Sequence, residues 1–164
     1  MTKARRGVVV AVVVALVAAA AGVGAGLLAR HTVAPFPEIS VYSQGHAERV
    51  GPYTYCSVIN LNDCHNPGIQ GELPVSPRHP VQLSVPAEIS QAPWRLLRIY
   101  EDERNSTVTL YRPKTRMAVT IPTVDPHRGR LVGIVVQLST LVMDQAGELG
   151  EVPHAEWSVR LVRS

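Results

Sequence analysis

The sequence predicts an all-β domain, a single antiparallel sandwich behind one apolar N-terminal helix, and three observations lead there. Residues 7–29 contain no charged side chain. From residue 38 onward apolar and polar residues alternate in short runs, the two-residue period of strands buried on one face. Turn formers, chiefly Pro, Gly, Asn and Asp, break these runs at intervals of roughly 8–12 residues, the spacing of a sandwich.

Lys3, Arg5 and Arg6 precede the apolar segment and Arg30 follows it. About 20 apolar residues rising 1.5 Å each span a hydrocarbon core, so residues 7–29 suffice for a transmembrane helix. A secretory signal peptide shares this composition but has an apolar stretch of only about 7–15 residues, which favours a retained signal anchor. The small residues between Ala18 and Gly26 leave cleavage open as the alternative. Three basic residues before the segment against one after it keep the N-terminus cytoplasmic and send residue 31 onward across the membrane. The first cysteine is Cys56, far beyond the apolar run, which rules out a lipid-modified N-terminal cysteine. Gly22, Gly24 and Gly26 would admit a partner helix, although Ala- and Gly-rich anchors are ordinary. The expected organisation is a cytoplasmic N-terminus at 1–6, the helix at 7–29, an extended spacer at 30–37 and an extracytoplasmic domain at 38–164.

The isoelectric point of 9.1 reflects topology. Residues 31–164 hold twelve Lys plus Arg and thirteen Asp plus Glu, a net charge of −1. The densest basic cluster is Arg112, Lys114 and Arg116, with Arg128 and Arg130 near in sequence. Pro113 and the alternation of charged with uncharged residues make it a turn and a solvated strand face, so no nucleic-acid partner is expected. The 134 residues after the anchor suit one hydrophobic core and are too few for two.

Cys56 and Cys64 are the two cysteines. In an oxidising compartment a disulfide is the favoured reading, stabilising by roughly 2–3 kcal/mol in the chain-entropy model. A redox pair usually takes the form Cys-x-x-Cys, and a zinc site needs more ligands than these two and His65.

Taken in order, Ile39 and Val41 alternate with Ser40 and Tyr42 in a first strand that ends at a Gln44-Gly45 turn. A second short strand follows near residues 48–50, and residues 53–59 lead into the cysteine loop. From Asn66 through Pro74, Pro77 and Pro80 the breakers argue against regular structure. The clearest strand is 81–86, with Val81, Leu83 and Val85 on one face and a proline that ends the ladder. Residues 87–92 make a crossing before a strand from Trp94 to Tyr100, and 101–106 is a hairpin loop. Strands follow at 107–112 and 117–121, then a loop over 123–130. The apolar run 131–143 could be a helix, but its β-branched residues and Gly133 favour a buried, bulged strand. Residues 147–153 are expected to turn, and Trp157, Val159 and Leu161 to lie in a closing strand.

An immunoglobulin-like Greek key is the first choice among sandwiches, without its usual inter-sheet disulfide, because Cys56 and Cys64 are too close in sequence. Trp94 and Trp157, both in alternating apolar strands, are expected as core aromatics.

Four stretches carry a resemblance: Tyr55-Cys56 with Asp63-Cys64, the run from Pro80 to Pro86, Ala92-Pro93-Trp94-Arg95-Leu96, and the run from Ile121 to Pro126. Through them the chain resembles an actinobacterial family of small membrane-anchored proteins known as a domain of unknown function, over most of residues 37–162. The resemblance implies an actinobacterial envelope location and no established activity, so no catalytic residue carries over.

No G-x-S-x-G elbow, H-E-x-x-H or Gly-rich phosphate loop occurs, and no enzyme, cofactor or metal is expected. The nearest candidates are Asp63 with His65, Asp125 with His127, and Glu101-Asp102-Glu103 as a cation site. Loop hydrogen bonding explains the first two and a solvated hairpin the third. The leading expectation is an adaptor domain that docks on an envelope protein or complex. Its presenting surfaces are the cysteine loop at 56–74, with Asn62, Asp63 and His65, and the hairpin with Glu101, Asp102 and Glu103. The alternative is a carrier or sensor for a small lipid or cell-wall fragment, with a protease inhibitor third. An enclosed apolar cavity favours the carrier, and a filled core with an apolar surface patch favours the adaptor.

Overall fold

Ile39, Val41 and Ser43 face inward and Ser40 and Tyr42 outward along β1 (Ile39–Ser43), the alternation the sequence carries. Gln44 and Gly45 have φ of 42° and 90°, as a two-residue type I′ turn requires, and join β1 to β2 (His46–Val50). The computed structural model describes residues 36–143 and 146–164. The N-terminus at 1–6, the expected membrane helix at 7–29 and the spacer up to residue 35 lie outside the described residues. No helix among the described residues is long and apolar enough to cross a membrane.

The remaining elements in chain order are β3 (Thr54–Cys56), β4 (Cys64–His65), β5 (Gly71–Val75), β6 (Val81–Ser84), the one-turn helix α1 (Ala87–Ser90) and β7 (Trp94–Tyr100). They are followed by β8 (Thr107–Tyr111), β9 (Ala118–Ile121), β10 (Val124–Asp125), β11 (Gly129–Met143) and β12 (Leu149–Arg163). One sheet has the order β2-β1-β6-β9. The larger runs β4-β3-β12-β11-β7-β8, with β10 beside β11 and β5 beside β12. The fold is all-β and its pairings are antiparallel, except that β5 runs parallel to β12 from Gly71 opposite Val159 to Val75 opposite Arg163.

Both sheets feed one apolar core. Ile39, Val41, Val81 and Leu83 enter it from the smaller sheet, and Trp94, Leu96, Ile134, Val136, Trp157 and Val159 from the larger. The two tryptophans are fully buried, and each finds an acceptor for its indole N–H: Trp94 donates to the Arg116 carbonyl at 3.3 Å and Trp157 to the Pro37 carbonyl at 2.8 Å.

Two expectations are corrected, at residues 66–80 and 147–153. Residues 66–80 are not wholly irregular, because Gly71, Leu73 and Val75 alternate inward as β5. Pro74 sits there without loss: β12 is the only strand paired with β5 among the described residues, so one edge of β5 needs no N–H. The closing strand starts at Leu149 rather than near Trp157, so residues 149–153 pair with β11 where a turn was expected. Of residues 53–59, only Thr54–Cys56 form a strand. The run 131–143 is a strand with register shifts at Leu131/Gly133 and Leu138/Ser139.

Following strand direction through these registers divides the domain into two ends. Phe36, the loop 57–63, α1, the turn 112–116 and the tip of the β11–β12 hairpin lie at the proximal end, where the described chain begins. The Gln44-Gly45 turn, the hairpin 101–106, the loop 122–128 and the C-terminus lie at the distal end, and Gln44 Nε2 donates to Ser164 Oγ at 2.7 Å.

Gly71 lets β5 come close to β2. A Cβ on Gly71 would sit 2.4 Å from Val50 Cγ2, a short branched side chain that is itself buried. Gly71→Ala is expected to destabilise the domain by about 1–3 kcal/mol, as overpacking does. In a thermal or urea melt the double variant with Val50→Ala should lose less than the sum of the two single losses; strict additivity would remove the steric explanation.

Candidate functional site

The proximal end gathers most of the residues singled out in the cysteine loop. Cys56 and Cys64 are in register across β3 and β4, and a disulfide joins them. Inside the loop the Ser57 N–H donates to the Asp63 carbonyl at 2.9 Å, and the Asp63 N–H to the Asn60 carbonyl at 2.9 Å. Asn60 Oδ1 accepts the Asn62 N–H at 3.1 Å, so Asn60 supplies the side-chain brace expected of Asp63. The polar groups thus fold the loop inward on itself and leave Val58 and Ile59 outside, Ile59 with 93% of its surface exposed.

Aromatic rings cluster beside the disulfide corner, those of Tyr55 and His65 on residues that alternate with the cysteines along β3 and β4. Phe36 stacks on His65 with centroids 4.8 Å apart and lies tilted against Tyr55 at 4.9 Å, while Tyr55 turns its edge to Trp157 at 6.2 Å. His154 is buried in the extra residue of the β12 bulge, and its Nδ1 lies 3.2 Å from the Cys56 carbonyl. A carbonyl oxygen only accepts, so Nδ1 is the ring nitrogen that carries hydrogen in this bond. Phe36, Tyr55, His65 and His154 help wall an open recess of about 400 Å³. With both sulfurs in the disulfide, neither is a thiolate for metal binding or exchange. The Asp63 backbone serves the loop and the His65 ring serves the stack, and no hydrogen bond joins them among the described residues.

Glu101, Asp102 and Glu103 lie at the distal end, away from the cysteine loop, and their carboxylates do not converge. Glu101 pairs with Arg130 across the hairpin mouth. Asp102 accepts from the Arg104 backbone N–H at 3.1 Å and from its guanidinium at 2.8 and 3.0 Å, capping a 3-10 turn (Glu103–Asn105). Those bonds, the side-chain one first, hold its carboxyl below the usual aspartate value. Asp125 Oδ1 accepts the backbone N–H groups of His127 at 2.9 Å and Arg128 at 3.1 Å. The pairing of Asp125 with His127 is therefore through the backbone, and the bond from His127 is the main cause of a lowered Asp125 pKa. Also at this end, Val75, Val124, Leu131 and Leu161 line a cleft of about 230 Å³ beside Arg130 and Arg163.

Phe36, His154 and the apolar hairpin tip went unmarked in the sequence. For the hairpin tip alone, the excess of apolar residues over the strand pattern at Leu141, Met143 and Leu149 was a signal.

A family model described as "Protein of unknown function (DUF2771)" matches residues 32–162. The chain belongs to this family. In the DUF2771 domain the matched region spans every strand from β1 to β11 and β12 up to Val162. Uncharacterised proteins of Mycobacterium bovis and of two Mycobacterium tuberculosis strains are each 68% identical over 142 residues, covering 87% of this chain and 88% of the relative. They place the DUF2771 resemblance in actinobacteria. No solved structure matches the chain.

Two outcomes are expected from this geometry. Replacing Cys56 and Cys64 together by serine should lower stability by about 2–3 kcal/mol in a denaturant titration, through loop closure alone; an unchanged midpoint would mean the bond contributes nothing. The folded-state pKa of Asp125 lies below the usual aspartate value, so its charge adds stability above the unfolded pKa, lost as pH falls through the folded pKa. Asp125→Asn keeps the acceptor and removes the charge, and its melting temperature should decline less steeply than wild type in acid.

Proposed function

We propose that this protein is a single-pass, membrane-anchored binding domain of the actinobacterial cell envelope, an adaptor whose domain lies outside the cytoplasmic membrane and which performs no catalysis. The anchor is residues 7–29, with the basic residues before it on the cytoplasmic side. The sandwich is read as immunoglobulin-like, with Trp94 and Trp157 filling its centre and the parallel β5–β12 pair as a departure from that plan.

One observation carries the adaptor reading. β8 is the last strand of the larger sheet, its outer edge is unpaired among the described residues, and it exposes Val108 and Leu110 at 61% and 57%. Edge strands are usually blunted by charge or proline, and this one carries apolar residues beside the hairpin that bears Glu101, Asp102 and Glu103. Such an edge suits a protein partner that adds a strand, with backbone hydrogen bonds for affinity and Val108 and Leu110 for specificity. The core between the sheets is filled by fully buried side chains, as an adaptor requires.

The carrier reading rests on the distal cleft, whose apolar walls and two arginines suit an anionic amphiphile. Its volume of about 230 Å³ is below the roughly 300–1,000 Å³ of sites that enclose a small molecule, which ranks it second.

A photo-crosslinking residue at position 108 of the full-length chain, expressed in its cell, tests the adaptor. A discrete protein adduct is expected, lost when Leu110 is replaced by Lys. Absence of an adduct, with the domain accessible to protease added to spheroplasts, would remove the edge-strand partner.

A further inference from the structure

Beyond the point where β7 ends its pairing, at Trp94 opposite Leu138, β11 and β12 continue as a two-stranded ribbon. Five residue pairs, from Ser139 opposite Pro153 to Met143 opposite Leu149, carry it about 17 Å outward at roughly 3.3 Å per residue. The register puts Leu141, Met143 and Leu149 on one face, 66%, 66% and 65% exposed. Val152 is exposed on the other face, and the exposed Val58 and Ile59 of the cysteine loop project from the same end. An isolated ribbon with apolar side chains on both faces gains nothing from water.

Two further features of that end indicate what meets it. The described chain begins there, at Phe36 against His65 and Tyr55. Residues 30–35 reach at most about 21 Å when extended, close to the length of the ribbon. The same end carries Arg112, Lys114 and Arg116 on an exposed turn. Pro113 and the positive φ of 60° at Lys114 shape it, and the Lys114 N–H fastens it to the Ser90 carbonyl of α1 at 2.7 Å. None of the three has an ion pair among the described residues. Among the described residues, the acidic groups at this end are Asp63, Glu88, Glu148 and Glu151, the last of them paired with Arg95.

We infer that the proximal end of the domain docks on the outer leaflet of the membrane, with the ribbon and the Val58-Ile59 tip in the interfacial layer and the basic turn against anionic phospholipid headgroups. Apolar side chains sunk a few ångströms into the headgroup boundary, with basic residues beside them, are the pattern of interfacial binding. The inference rests on residues 7–29 being a membrane anchor, because that holds this end near lipid. It leaves the β8 edge and the distal hairpin free for a partner.

The test uses the full-length chain reconstituted in phosphatidylglycerol vesicles, with tryptophan placed at Leu141→Trp or Ile59→Trp and at the distal Glu103→Trp. Trp94 and Trp157 are buried, so the wild-type chain supplies the background. Brominated acyl chains should quench most of the added emission at 141 and 59 and none at 103. Neutral phosphatidylcholine should weaken quenching, and each charge removed by Arg112→Gln, Lys114→Gln or Arg116→Gln should lower the docked-to-free ratio by about fivefold. Carbonate extraction of the same vesicles then reads the anchor separately. Unquenched positions 141 and 59 in a chain that resists carbonate would overturn docking and keep the anchor, handing the ribbon to a protein partner. Quenched positions in a chain that carbonate removes would keep docking and discard the anchor. Equal quenching in both lipids would overturn the role of the basic turn.

Discussion

The pairing of β11 with β12 is the constraint on which the rest of the molecule depends. Each strand is fifteen residues long, and together they run from the distal loop to the proximal ribbon. One edge of β11 holds β7, which in turn holds β8. The free edge of β12 is shared, first by β3 at Ala155 and Glu156 and then by β5 from Val159 to Arg163. The extra residue at the Leu138/Ser139 shift is His154, and its ring ties β12 to the carbonyl of Cys56. Bulges raise local twist, so one irregularity both separates the ribbon from the sheet and seats the aromatic cluster.

Local pattern was enough where the residue that decides a strand lies inside it. Ile39, Val41, Val81 and Leu83 alternate in sequence and face inward in space, and the Trp94 and Trp157 strands behave likewise. Pattern failed where a partner far along the chain decides. Pro74 looks like a breaker until β12 supplies a neighbour that leaves one edge of β5 open. Gly150 and Pro153 look like a turn until Val142 and Ser139 lie opposite them. The candidate sites divide the same way. The cysteine pairing was legible from its short loop, whereas Glu101 meets Arg130, 29 positions away, and no local rule finds that.

The two presenting surfaces that the sequence offered lie at opposite ends of the domain. Strand connectivity explains it: β3 and β4 hang from the proximal half of β12, while the β7–β8 hairpin closes at the other end of the sheet. A domain held from one end can engage different things at its two ends. The proposed membrane contact at one end and the proposed protein contact at the other are compatible for that reason.

The parallel pair of β5 and β12 also governs the order in which the molecule can be completed. Synthesis proceeds from the N-terminus, and Gly71 must wait for Val159 before β5 has a neighbour. Long-range pairing of this kind is slow, and a strand waiting for its partner is exposed to misassociation. Cys56 and Cys64, only eight positions apart, have no such wait. Their bond can close while β12 is still unmade, holding β3 and β4 together as a preformed corner onto which the last strand arrives.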